Sequence, residues 1–246
     1  MIRLSLRDMT VLTVTAEMYG APGDVVGKML GGVSRRRVNQ IADRWTAAGM
    51  ISPLRPTPVP GPAWIFPTRA AAEVLIGHPV RAWAPRPGMA AHVRTALEIR
   101  LALVGLDLER WICERTLRSE VGPTKAGTPR PHIHDGRYRT PAGEWWAVEV
   151  ELTPKNLTAA RSAVAQAWQA ARAADCAGVT YYCRGNAVKN VIRSAAGSLN
   201  LTDGPRLRLA DVDELLAPNA VSAEPTPGLR VIPGGASSHD ISGKAV

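Results

Sequence analysis

The chain is short of the residues that build covalent or membrane-borne frameworks. It has three cysteines, Cys113, Cys176 and Cys183, and no C-x-x-C spacing joins any two of them. They therefore read as buried, reduced thiols of a cytoplasmic protein, not as a disulfide framework or a zinc site. No run of about 18 apolar residues occurs, so no membrane span is expected. The opening MIRLSLRDMT lacks the apolar core of a signal peptide. There is no internal repeat. There is also no G-x-x-x-x-G-K-[ST] run, so no ATP motor and no nucleotide cofactor are expected.

What is abundant is positive charge. Lys and Arg number 30 against 21 Asp and Glu, for a net charge of +9 and a pI near 10.1. Such a balance points to a polyanionic partner, of which nucleic acid is the commonest. The alternative is a charge that serves solubility only. Apolar residues make up 46% and charged residues 21%, so the chain can bury a core and is not disordered as a whole. Its 246 residues suffice for one large domain or two small ones.

Patterning divides the chain. Residues 1–77 read as helices over RDMTVLTVTAEMYG, APGDVVGKML and SRRRVNQIADRWTAAGM, then two short extended pieces around a Pro/Gly tip (ISPLRPTPVPGPAWIF), then a last helix in PTRAAAEVLIG. In the third helix Ser34 is placed to cap the start and Gly49 the end, and Val38, Ile41, Trp45 and Ala48 fall on one face. Residues 78–90 carry three prolines and read as a linker. From 91 to 216 the pattern is a helix, three strands (RWICERTLR, RPHIHDGRYRT, WWAVEVELT), a helix, a strand, a helix and a final short strand. Residues 217–246, rich in Pro, Gly, Ser and Ala, read as a disordered tail.

Three helices followed by a two-stranded flap make a winged helix-turn-helix, in which the third helix enters the major groove. Its leading residues Arg35, Arg36, Arg37, Asn39 and Gln40 lie off the apolar face. Arginine suits guanine, and Asn or Gln suits adenine. Arg55 on the flap is placed to meet phosphate. The alternative is an exposed basic helix that binds nothing.

The second unit poses a different question, because a basic chain clusters carboxylates in HIHDGRYRTPAGEWWAVEVELTPK. Alternation puts Trp145, Ala147, Glu149 and Glu151 on one strand face, the glutamates about 7 Å apart, and Trp146, Val148, Val150 and Leu152 on the other. TPAGE turns the chain, so Asp135 on the preceding strand can approach Glu149. Mg²⁺ takes hard oxygen ligands of this kind, and it offsets the repulsion between carboxylates and DNA. Two alternatives compete. Asp135-Gly136 is itself a favoured turn dipeptide, and the glutamates could be the solvated face of an edge strand. Glu98 and Glu114 could add a further carboxylate, but each reads better as a surface ion-pair partner, with Arg94 four residues before Glu98. His132 and His134 form an H-x-H to which the sequence offers no further zinc ligand. Tyr138 and Trp145 could stack on a DNA strand, while Trp45, Trp111 and Trp168 read as core.

The order helix, three strands, helix, strand, with Asp135 followed by EVE, resembles the PD-(D/E)xK restriction-endonuclease-like superfamily. With the winged helix, WICERTLR, HIHDGRY and WAVEVELTPK, the chain over residues 5–215 looks like the replication-relaxation family of plasmids and integrative elements, which is related to MobC-type relaxases. The resemblance implies an α+β protein with an N-terminal winged helix-turn-helix, a nuclease-like α/β domain and a disordered tail. It implies Asp135 and Glu149 as metal ligands for Mg²⁺, and a catalytic set of Asp135, Glu149, Glu151 and Lys155. Glu151 stands where the family's lysine belongs, and Lys155 is placed to substitute for it. The expected function is DNA binding in replication, relaxation or mobilisation of a plasmid or mobile element, with metal-dependent nicking of one strand. The alternative is a non-catalytic DNA-binding regulator with a degenerate nuclease fold. Double-stranded DNA is the expected partner. A second copy of the chain and mobilisation or replication proteins are further candidates.

Overall fold

A computed structural model describes residues 3–123, 127 and 131–217. All of the expected tail except Ala217 lies outside these residues. Among them the chain is α+β, with nine helices, a mixed five-stranded sheet and a small two-stranded sheet.

Helix α1 (Leu6–Glu17) starts at a capping box. The Ser5 hydroxyl accepts from the Asp8 amide at 3.1 Å, and the Asp8 carboxylate accepts from the Ser5 amide at 2.9 Å. Strand β1 (Ala21–Pro22) follows, then α2 (Gly23–Met29) and α3 (Arg35–Ala47). The second helix was expected to begin at Ala21. Instead Ala21 and Pro22 pair antiparallel with β2 (Trp64–Ile65), and the helix starts only after that pairing ends. Ser34 caps α3, and Gly49 at φ +72° turns the chain beyond it. Val38, Ile41, Ala42 and Trp45 are its buried face. Ile51 bridges Pro67, which leaves residues 53–63 as a proline-rich loop between extended pieces. Thr68 caps α4 (Arg69–Ile76), and Gly77 ends it at φ +83°.

Helix α5 (Pro87–Val104) begins inside the segment read as a linker. Proline at the first helical position is pre-set in φ and gives up only an amide that would lack a helical partner anyway. The rest of that segment is packed. Val80 and Ala90 are buried, and Trp83 lies 5.6–6.3 Å from the rings of Tyr19, Trp64 and Phe66.

The stretch RWICERTLR is a strand only at β3 (Trp111–Cys113). It continues as α6 (Glu114–Val121), where Arg118 pairs with Glu114 one turn away. Likewise RPHIHDGRYRT is a strand only at β4 (Gly136–Arg139). Ahead of it, the Asp135 carboxylate takes the Val150 amide at 2.8 Å, so a side chain replaces the backbone partner and the ladder stops. Then come β5 (Trp145–Glu151), α7 (Leu157–Ala173) capped by Asn156, β6 (Gly178–Cys183), α8 (Asn186–Gly197), β7 (Arg206–Asp211) and α9 (Val212–Leu215).

The large sheet has the order β3-β4-β5-β6-β7. Its first three strands are antiparallel neighbours and its last three are parallel. One face (Trp146, Val148, Val150, Tyr182) packs with Leu97 and Ile99 of α5. That core continues without a break into Leu12, Val25 and Ile41 of the first helices. The other face (Ala147, Val179, Tyr181, Cys183) packs under Val164 of α7 and Ile192 of α8. Arg100 is fully buried and pairs with Glu17, tying α5 to α1, and Arg115 donates to the Ala16 carbonyl at 2.8 Å. Among the described residues no helix is long and apolar enough to cross a membrane.

Candidate metal and nucleic-acid sites

On α3, Arg35, Arg36, Arg37, Asn39 and Gln40 are all exposed, while Val38 between them is buried. The helix is held from behind. Arg44 pairs with Asp8 at 2.8 Å, and the Trp45 indole donates to the same carboxylate at 3.2 Å. Arg37 donates to Gln40 at 3.1 Å along the exposed face. A groove of about 900 Å³ runs between α3 and the 53–63 loop, with Arg35, Asn39 and Asp43 on one side and Gly61 and Pro62 on the other. Arg55 also lines this groove and is half-buried. Its guanidinium folds back to the Thr46 hydroxyl at 2.6 Å and the Ala42 carbonyl at 3.3 Å, and also takes the Ser52 carbonyl. These bonds engage both terminal nitrogens with α3 and with the loop itself, in place of the phosphate contact expected from the sequence.

The carboxylates gather where β5 ends. Glu149 and Glu151 point to the same face, as the alternation requires, but β5 is the central strand and each glutamate is only 8% exposed. They are not the solvated edge of a sheet. Nor is Asp135-Gly136 a hairpin turn: the turn is at 140–144, with Gly143 at φ +87°, and Gly136 opens β4. Asp135 carries two contacts. One oxygen faces His92 Nε2 of α5 at 3.0 Å, and the other takes the Val150 amide. Glu149 Oε1 faces His132 Nε2 at 2.7 Å, and Glu151 pairs with Lys155. The four predicted residues therefore lie at the end of the central strand, in two arms: Asp135 toward α5, and Glu149, Glu151 and Lys155 toward the α7 side.

Electrostatics couple the arms. Burial pushes the Glu149 carboxyl up to about 7; the His132 hydrogen bond opposes this, and the charges of Asp135 and Glu151 add to it. For His132 burial disfavours the cation, but the hydrogen bond and charge of Glu149, helped by Asp135, outweigh it and the pKa is raised. The 2.7 Å hydrogen bond thus ties the protonation of Glu149 to that of His132. His92 is raised in the same way: burial opposes its charge and the Asp135 carboxylate prevails. His134 behaves oppositely. It is fully buried, and burial pushes it down to about 4, so it is neutral.

No family model, characterised protein or solved structure matches the chain. The residues themselves carry the assignment.

His132, His134 and Glu149 bring one ligand atom each to within 4.8 Å of one another. The sequence offers H-x-H without a third ligand. The fold supplies one from a strand 15 residues beyond His134, on a segment already marked by its acidic residues. His92, which holds Asp135, has no sequence signal: it is one polar residue on a helix. Tyr138 is buried, with 3% exposure, and is not available to stack on DNA. Trp45, Trp111 and Trp168 are core, as their surroundings in sequence suggest, and the three cysteines are buried thiols.

Mg²⁺, the ion implied by the family resemblance, fits these donors poorly. Both Asp135 oxygens are engaged by His92 and Val150, and the atoms nearest Glu149 are imidazole nitrogens. Mg²⁺ prefers an octahedron of oxygens.

Proposed function

We propose that the chain binds double-stranded DNA through α3, with the 53–63 loop against the backbone as the wing of a winged helix. We further propose that it acts in replication, relaxation or mobilisation of a plasmid or mobile element. The observation that carries the reading is the row of exposed Arg35, Arg36, Arg37, Asn39 and Gln40 at the start of a helix anchored through Asp8. Base-edge donors and acceptors at a helix start are the chemistry of major-groove reading, and a net +9 supplies the salt-dependent attraction to phosphate.

Gel-shift titration against duplex fragments from around the gene's own replicon tests this. Arg36→Glu is expected to weaken binding by at least about tenfold, consistent with about 1–3 kcal/mol for a good base or phosphate contact, and to flatten the salt dependence. Unchanged affinity and salt slope would overturn the assignment to α3.

A second reading is favoured by the Asp135 and Glu149 arms: the group at the end of β5 cuts one DNA strand in a nuclease-like domain, with a divalent ion stabilising the charge that develops at phosphate. In it the hydrogen-bonded Glu149 and His132 take a proton from, or give one to, a reacting oxygen, and Lys155, paired with Glu151, offers a cation at the rim. Metal-dependent nicking of supercoiled plasmid, lost in Asp135→Ala and in Glu149→Gln, supports it. A clear footprint without nicking leaves the DNA-binding reading alone, with a degenerate nuclease fold.

A further inference from the structure

The group at the end of β5 carries a sharper statement than its acidity suggests. His134 Nε2–H donates to the Ala167 carbonyl of α7 at 3.0 Å. That bond fixes the ring's orientation and tautomer, and leaves Nδ1 as the lone-pair nitrogen. Nδ1 is buried and has no hydrogen-bond partner among the described residues. A buried nitrogen left unpaired is costly and calls for an explanation. A backbone carbonyl on the far nitrogen is the support that metal-binding imidazoles receive. Beside the His134 ring stand His132, whose ring meets it edge-on at 5.3 Å, and Glu149. Tyr181, the strand partner of Glu149 on β6, is fully buried, and its hydroxyl is likewise unpaired among the described residues.

We propose that His132, His134 and Glu149 form a binding site for a first-row transition-metal dication of the Zn²⁺ class, with Mg²⁺ excluded by the donor set. Two imidazoles and one carboxylate are the ligands such ions select, and three protein ligands leave a coordination position for water or a phosphate oxygen. Asp135 is then not a ligand. It is a neighbouring charge held by His92, which favours a cation at the site without touching it. The proposal deepens the cleavage reading by naming its metal, and it rests on that reading only for its consequence, because binding is measurable without DNA.

The test uses the full chain, stripped of metal by chelator dialysis. Co²⁺ titration is expected to give visible d–d absorption saturating at one ion per chain. Zn²⁺ is expected to displace the Co²⁺ at equal concentration, and millimolar Mg²⁺ is not. His132→Asn and Glu149→Gln are each expected to weaken Co²⁺ binding by at least about tenfold, with Lys28→Gln, an exposed change on α2, without effect. Glu149→Gln keeps the shape of a side chain that burial already drives toward neutrality, and circular dichroism with the thermal midpoint confirms that each variant is folded. Absence of stoichiometric Co²⁺ or Zn²⁺ binding by the wild type, equal binding by the folded variants, or equal competition by Mg²⁺ would each overturn the proposal. Tight Zn²⁺ binding without nicking removes the cleavage reading alone. Mg²⁺-dependent nicking without Zn²⁺ binding removes this one alone.

Discussion

Asp8 is one carboxylate with several partners: the Ser5 amide and hydroxyl, the Arg44 guanidinium and the Trp45 indole. Burial works against its charge, but those hydrogen bonds and the Arg44 cation outweigh it and hold its carboxyl below the ordinary 3.8. A depressed carboxylate contributes stability that is fully present above the unfolded value and is lost as pH falls through the folded one. Wild type is therefore expected to lose urea resistance below about pH 4 more steeply than Asp8→Asn, which has no such group to protonate. At neutral pH, Asp8→Ala strands Arg44 and Trp45 and is expected to cost about 3 kcal/mol. Equal acid limbs in urea titrations would contradict this account. At this scale the sequence is legible where chemistry is local. Ser34 and Gly49 announce the ends of α3 because capping involves only neighbours in the chain. Arg55 and His92 are not legible, since their partners lie on other segments.

Elements follow the same division. The alternation of WWAVEVE fixes which residues share a face, because the pleat has a period of two whatever packs on it. It does not say that both faces are covered, and so it leaves open the edge-strand alternative that the central position of β5 rules out. The strand expected over RWICERTLR ends at Cys113 because helix-forming Glu and Arg residues follow, and they pair across one turn. Gly136 shows why a dipeptide signal can mislead. Asp-Gly suggests a turn, yet this glycine opens a strand because the Trp111 ring lies on it: a Cβ there would sit 2.3 Å from Trp111 Cζ2. Gly136→Ala is expected to destabilise the fold by about 1–3 kcal/mol through overpacking. Because Asp135 is the preceding residue, the variant is also expected to disturb its contact with His92, seen as a shifted His92 titration in NMR. A variant as stable as wild type, with the His92 titration unmoved, would argue against the close approach.

Over the whole molecule the decisive feature is one core running from α1–α3 through α5 to the sheet. The buried Arg100–Glu17 pair and the Arg115 contact to Ala16 reinforce that junction. Helices that share buried side chains are expected to unfold together. Calorimetry is therefore expected to give one transition with equal calorimetric and van't Hoff enthalpies. Two resolved transitions would mean that the α1–α4 unit and the sheet unit are energetically separate. If the proposed reading holds, this junction also fixes the DNA-facing helix relative to the end of β5, so that a strand's distance from the proposed metal site is set by the fold.

The sequence alone determined what depends on near neighbours: the capped α3 with its exposed basic start, the turn at 140–144, the shared face of Glu149 and Glu151, and the net positive charge. Periodicity, capping and charge are properties of the chain within a few residues, and tertiary contacts leave them in place. Only the tertiary structure decided what surrounds those residues: that Glu149 faces His132 and lies beside His134, that Asp135 turns to His92, that Arg55 serves the end of α3, and that the Pro-rich segment is packed. Those outcomes join segments tens of residues apart, and burial sets the charge each group carries there.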